Sequence, residues 1–471
     1  MSHAAGVILP RVPMPSGFAP ALPESGCMSV QRFREIWWLA LPILGAMLSQ
    51  VVLNMVDLAM VGHLGATALA GVGAASFLHF TAFSAITGLS SAVQAMAARR
   101  HGEGRHDETA VPLNGGILLS VLIGLPLSLL LIERAPAIFA ALYADPAVGA
   151  EGTAYLQFRL AGIVAVGINF SFRGYWSAVR RTQLYLAVLF GMCVLNIALD
   201  WLLIFGKFGF PEMGTRGAGL ANVISAYAGA AAYIGLALAN IRNAGFLRRV
   251  PSAEQLKSLL KLGLPSCAQN LLFAGGFSVL LWIIGHIGTA ELAVTNVLIN
   301  VTLAAVLPGM AFGLATAALT GSALGRHDPD DAYRWGWDVF RATWWVFALL
   351  ALPMVFATDA VLHVFFNDPA TADALVAIGR FPLRLIGIGV TLDGLGFILM
   401  HALLGVGASA SVALVAVGLQ WGLFLPAAYA AGIVLGTGLP AIWMLMTGYR
   451  ALQTALFASL WMRKRWSKIK V

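Results

Sequence analysis

A chain of 471 residues that is 59% hydrophobic and only 11% charged cannot be an ordinary soluble protein. Its apolar runs repeatedly reach the ~20 residues that a helix needs to cross a bilayer, so the composition describes an all-α polytopic membrane protein. The net charge of +8 sits in short loops and the C-terminal tail, where topology explains it, and it carries no nucleic-acid signal.

In chain order, residues 1–33 are expected to form a flexible tail. They are rich in Pro, Gly and Ala and lack the charged-then-apolar build of a secretory signal; Met28 is as acceptable a start as Met1. Twelve candidate spans follow: 34–64, 67–98, 111–132, 152–179, 184–206, 216–241, 258–286, 290–324, 335–364, 372–405, 408–431 and 434–460. The first six form an N-terminal lobe (34–242) and the last six a C-terminal lobe (258–460). A basic linker, 243–257, joins them, and 461–471 is a basic tail. Spans above about 25 residues imply tilt or kinks, and Pro42, Pro265 and Pro308 are the expected kinks.

Loop charge orients the bundle. Arg32, Arg34, Arg99, Arg100, Arg180, Arg181, Arg248, Arg249, Lys257, Arg326 and the tail up to Lys470 fall on one side. Asp145, Glu151, Asp359, Asp368 and Asp373 fall on the other. The positive-inside rule then places both termini in the cytoplasm with an even number of spans. The three cysteines, Cys27, Cys193 and Cys267, lack metal-ligand spacing, and the two within apolar spans read as small buried hydrophobes.

The chain is internally duplicated. Residues 39–65 and 262–288 align without a gap at an offset of 223, with nine of 27 positions identical, and the register continues to Gly102 and Gly325. The second copy has Leu280 where the first has Asp57. Because each copy holds an even number of spans, the halves enter the membrane in the same direction, related by a pseudo-two-fold axis along its normal, with a central cleft between them. His63 and His286 end matching helices, so a shared structural turn is expected there.

The first half carries the acids. Gln50, Asn54 and Asp57 share one helical face, and Asn196 and Asp200 lie one turn apart on another. Both aspartates fall short of the same end of their spans, ~10 Å inside it at 1.5 Å per residue. A carboxylate at that depth is costly and reads first as functional. Two of them among amides could hold a proton, through like-charge repulsion, or Na⁺, through hard oxygen ligands. The alternative is a polar pair that only fixes helix packing.

In the second half Asp393 stands mid-span without a basic neighbour in sequence, and His401 lies two turns on along the same face. Asp393 could be a second protonation site or a counter-charge for a cationic substrate. Gln269, Asn270, Asn296, Asn300 and Gln420 read singly as interhelical hydrogen bonds. Arg173 and Arg384 lie within spans and could snorkel or pair with acids. There is no Gly-Lys-Ser/Thr phosphate loop, His-Glu-x-x-His or paired-cysteine motif, so the chain is not read as an enzyme or as ATP-driven, and no cofactor is expected.

Taken together, these features resemble the MATE (multidrug and toxic compound extrusion) transporters over about residues 34–460. The features are the twelve spans in two halves, Leu39-Ala40-Leu41-Pro42 with Asp57 and Gly62-His63-Leu64-Gly65, and Asn196-x-x-x-Asp200 followed by Gly214-x-x-Gly217-Ala218. The DinF-like branch is the closer fit, since its cation-coupling positions match Asp57, Asn196 and Asp200, and a site threonine of that branch falls on Asn222. The NorM-like glutamate of span 7 falls on Phe273, whereas Asp393 matches the acid such members carry on span 10.

The resemblance implies a monomeric bacterial inner-membrane antiporter that exports amphipathic organic cations in exchange for H⁺, with Na⁺ as the other ion, by alternating access. Gln50, Asn54, Asp393 and His401 are the expected substrate contacts. A lipid-linked saccharide flippase of the related superfamily is the first rival, and it would favour a strongly basic cavity. A non-transporting receptor or scaffold is the second.

Overall fold

The structure is a computed structural model that describes residues 28–142, 145–366 and 371–469. Most of the expected tail, Cys27, Asp368 and Lys470 lie outside the described residues. All regular structure among the described residues is helical.

In the first half α1 (Val30–Gly62) leads into α2 (Ala66–Thr87) and α3 (Leu89–Gly102), which form one span broken at Gly88. Then come α4 (Val111–Leu142), α5 (Pro146–Ala161) and α6 (Ile163–Ala178), the last two bent by 49° at Gly162, and α7 (Thr182–Ile204) and α8 (Thr215–Asn240). The second half has α9 (Ala253–Gly285), α10 (Thr289–Gly325), α11 (Pro329–Phe356), the short α12 (Thr358–His363) and α13 (Ala372–Gly405). It closes with α14 (Ser409–Leu419), α15 (Leu425–Tyr429) and α16 (Gly438–Met462).

Ten of these segments are long and apolar enough to cross a membrane by themselves, and the bent α5–α6 pair makes eleven. The twelfth is α16, whose Arg450 and Gln453 dilute its apolar character. The architecture is therefore two six-helix bundles, as the repeat requires.

Most helix ends lie within a few residues of expectation. However, α4 runs ten residues past the expected 132, and α11 starts six residues before the expected 335 and ends eight before the expected 364. Ser29 caps α1 through Arg32 N, and Ser252 with Gln255 makes a capping box that starts α9 within the expected linker. Pro42, Pro265 and Pro308 all lie inside helices. At the Gly162 break, Ser128 Oγ donates to Leu160 O (2.8 Å) and the Tyr227 hydroxyl to Ala161 O (3.0 Å). Carbonyls at such a break must find partners inside the protein, because lipid supplies none. Side chains also close the linker: Asn114 donates to the carbonyls of Gly245 and Arg249, both at 2.9 Å.

The lobes exchange the first turns of their entry helices, while Ala46 and Val61 of α1 and Leu280 and Ile283 of α9 pack in their own cores. Ile36 and Leu39 of α1 sit in the C-terminal core with Phe312 and Trp335, while Leu259 and Leu262 of α9 sit in the N-terminal core. These are equivalent positions of the repeat, 223 residues apart. The pseudo-two-fold axis passes between α3 and α10. A Cβ at Gly102 would overlap Ser322 O, and one at Gly325 would overlap Arg99 O, again equivalent pairs. Small residues permit this approach. Gln94 Nε2 adds a bond to Leu314 O (2.8 Å).

Contacts between lobes thus concentrate at the end that carries the basic loops, where ion pairs reinforce them. Arg32 of α1 binds Asp331 and Asp338 of α11 and stacks 4.0 Å over Trp335, and Arg99 adds a hydrogen bond to Ile469 O of the C-terminal tail. Gly102→Val or Gly325→Val is expected to prise this end apart. Cysteine labelling of residues between α3 and α10 should then rise from the basic side, and unchanged labelling would contradict the closure.

At the opposite end His63 and His286 each place Nδ1 on the carbonyl four residues back, Ala59 O (2.8 Å) and Trp282 O (2.9 Å), the shared structural turn that the repeat suggests. There Asp359 accepts two hydrogen bonds from Arg380 (2.7 and 2.8 Å), which hold its carboxyl below the usual range. Its contribution is present at neutral pH and is lost as the pH falls through the lowered value.

Candidate functional site

A cavity of about 680 Å³ opens within the N-terminal half, lined from α1, α2, α5, α6, α7 and α8, with Leu307 and Met310 of α10 at its edge. Asp57 and Asp200 stand five and four residues before the ends of α1 and α7 and so lie at one level, Asp57 lining the cavity and Asp200 buried behind it. Their side chains are in contact. Asp200 and Asn196 are fully buried, and Asp57 is half-buried.

The cluster is under-satisfied. Asp57 Oδ1, both Asp200 oxygens and Asn196 Oδ1 lack a hydrogen-bond partner. Asn222 Nδ2 donates to Asp57 Oδ2 (3.3 Å) and to Ala218 O (3.1 Å). Four oxygens left open in one place are expensive unless a proton or cation takes them up. Among the described residues no group of three or more His, Cys, Asp or Glu side chains could hold a metal ion.

Sequence reasoning missed Arg159. It lies on α5, one turn before the break, and donates to Asn222 Oδ1 (2.6 Å) and to His79 Nδ1 (3.2 Å). Asn222 therefore bridges a guanidinium to Asp57. A cation inside an apolar span was the available signal. Gln50 and Asn54 line the same cavity, and Gln50 Nε2 reaches Asn54 Oδ1 at 3.4 Å. Cys193 lines it too, with Sγ against Ser49 O.

The other two expected substrate residues lie elsewhere. Asp393 accepts a hydrogen bond from Arg450 Nε of α16 (2.9 Å), the basic partner that its sequence neighbourhood lacks. The pair lines a separate, mainly apolar pocket of about 70 Å³ with Phe273, Phe277 and Trp443. His401 lines neither space. It is buried against Gly313 of α10 with Nδ1 on Phe397 O (2.8 Å).

Of the polar amides of this half, Gln269, Asn270 and Gln420 make the expected interhelical contacts, whereas Asn296 and Asn300 are exposed and bond only their own helix. Asn296 and Asn300 bond carbonyls one turn back, Gln420 reaches Phe273 O, Gln269 contacts the Met400 sulfur, and Asn270 donates to Thr87 of the other lobe. Cys267 is a buried free thiol, and Arg384 is exposed.

Two six-helix halves, one of them holding a cavity with unsatisfied carboxylates beside it, define a polytopic membrane protein of the transporter class. The MatE family profile matches residues 42–202 and again 265–430, one match in each half. The chain belongs to the MatE family.

Among relatives, it is 29% identical over 437 residues to "Probable multidrug resistance protein NorM" of Bradyrhizobium diazoefficiens, covering 90% of this chain and 92% of that one. The protein of the same name from Geobacillus kaustophilus is 26% identical over 93% and 96% of the two chains. Among solved structures, an outward-facing multidrug resistance MATE family transporter superposes with a TM-score of 0.83 at 19% identity, over 95% and 100% of the chains. The eukaryotic MATE transporter AtDTX14 gives 0.82 at 21%, over 93% and 97%.

Proposed function

We propose that the protein is a multidrug efflux antiporter of a bacterial inner membrane, with both termini cytoplasmic, and that the Asp57–Asn196–Asp200–Asn222 cluster binds the coupling ion. The relatives' names support efflux of drugs. The observation that carries the ion site is the set of four open oxygens on Asp57, Asp200 and Asn196. A proton shared across the carboxyl pair removes their repulsion, and Na⁺ would instead be held by the carboxylate and amide oxygens. H⁺ is the primary reading.

With the basic loops placed in the cytoplasm, the lobes are closed inside, and the cavity faces outward. Ion uptake in this state releases an amphipathic organic cation held near Gln50 and Asn54 and favours closure outside. The ion drives this only by binding the two states unequally. The coupling set in the N-terminal half is the one that the DinF-like resemblance implies. The flippase reading wants a strongly basic cavity, whereas this one sets Asp57, with Asp200 buried beside it, against Arg159 and Arg173.

Everted vesicles with an imposed proton gradient, read by a pH-sensitive dye, test the proposal. Ethidium added without Na⁺ is expected to release protons. Drug-dependent Na⁺ flux in place of proton release would make the site a sodium site, and silence under both conditions would overturn the antiporter reading.

A further inference from the structure

Ion coupling uses the acidic end of the cavity and leaves its floor unexplained. Arg173 lies on α6 five residues before Ala178, toward the closed end of the molecule. Tyr185, near the start of α7, and Tyr233, near the end of α8, line the same floor. The Arg173 guanidinium stands 4.2 Å over the Phe170 ring and beside the Tyr185 hydroxyl. Its Nε has no hydrogen-bond partner, and among the described residues no carboxylate pairs with it.

The two comparable arginines are both occupied. Arg450 is paired with Asp393; Arg159 also lacks a carboxylate partner and has an open Nε, but both its terminal nitrogens are taken by Asn222 and His79. A guanidinium at membrane depth is costly, and a ring face with a neutral hydroxyl offsets only part of that cost. What matches the planar fork fully is a carboxylate, through two parallel N–H···O bonds.

The cavity is therefore bipolar. Tyr185 and Asp200 are 15 residues apart on α7, which puts the floor about 22 Å from the acid cluster at 1.5 Å per residue. Between them the wall is apolar and adaptable, with Met47, Phe80, Phe83, Met192 and Met310.

We propose that Arg173 is the anchor for an acidic group on the transported molecule. The preferred cargo is then a zwitterionic amphipath, with its carboxylate on Arg173 and its basic group directed toward the aspartates. This rests on the antiporter reading and narrows its substrate class.

A matched pair of dyes tests it: rhodamine 110, which carries the free carboxyl, and its methyl ester, rhodamine 123. Export would be followed in vesicles and binding on the purified full chain in lipid nanodiscs. Arg173→Gln is expected to lower the acid-to-ester preference at least about tenfold, the loss of one charge-assisted contact. Arg173→Lys, which keeps the charge but not the fork, should fall between, and it decides the matter if the Gln variant does not fold.

An acid-to-ester ratio unchanged in both variants would overturn the proposal. So would wild-type protein that moves the ester in an Asp57-dependent way and ignores the acid, and that result would leave the antiporter reading standing. If wild type moves neither dye, both readings fall together.

Discussion

Replacing Asp57 or Asp200 by asparagine is expected to reduce ion-driven drug export to the level of membranes without the protein. Asparagine has the shape of the carboxyl and retains hydrogen-bonding capacity, so the Asn222 contact and the packing of α1 against α7 should survive. What it removes is the ability to gain and lose charge. The coupling ion then binds neither state of the transporter better than the other, and a ligand without differential affinity shifts nothing. Drug binding to purified protein should persist while movement against a gradient stops. Each variant would be measured in the dye-quenching vesicle assay beside equilibrium binding of ethidium. Wild-type export from both would remove the carboxyl pair from the mechanism.

The second large effect concerns stability. Asp393 and Arg450 join α13 to α16, with side chains only 14% and 18% exposed. Breaking such a pair from one side leaves an uncompensated buried charge, which costs about 3–5 kcal/mol. Asp393→Ala and Arg450→Ala should each lower the melting temperature of the detergent-solubilised protein. The double variant Asp393→Leu with Arg450→Met, which replaces both charges with apolar volume, is expected to recover most of the loss. If both single variants melt at the wild-type temperature, the pair is not a structural tie. If the double variant is stable yet fails to export, the pair has a transport role besides.

Much of the site was legible because helical geometry is local. Asn196 and Asp200 must share a face at four-residue spacing, and Asp57 must lie near the same level, since α1 and α7 run in the same direction from equivalent ends. Arg159 was not legible in that way. Its partners, Asn222 and His79, come from α8 and α2, and the break at Gly162 that re-aims the chain beside it depends on Ser128 and Tyr227 taking the freed carbonyls. Asp393 was misleading for the same reason. Its partner is 57 residues away on α16, so it looks unpaired in the chain and is paired in the fold. His401 shares its helix but turns into the packing against Gly313 and not toward the Asp393 pocket.

Composition, apolar run length and the 223-residue offset by themselves determined that this is a duplicated bundle of helices entering a membrane in parallel. Those properties follow from the cost of exposing backbone or charge to lipid, which acts on each segment separately. Only the tertiary structure decided which half opens, that the first turns of α1 and α9 cross into the opposite cores, and that the lobes close where Gly102 meets Ser322 and Gly325 meets Arg99. It also decided that Arg173 lies on the cavity floor with no acid paired to it among the described residues. These outcomes depend on pairs of residues brought together from distant helices, and pairing of that kind has no signature along a single strand of sequence.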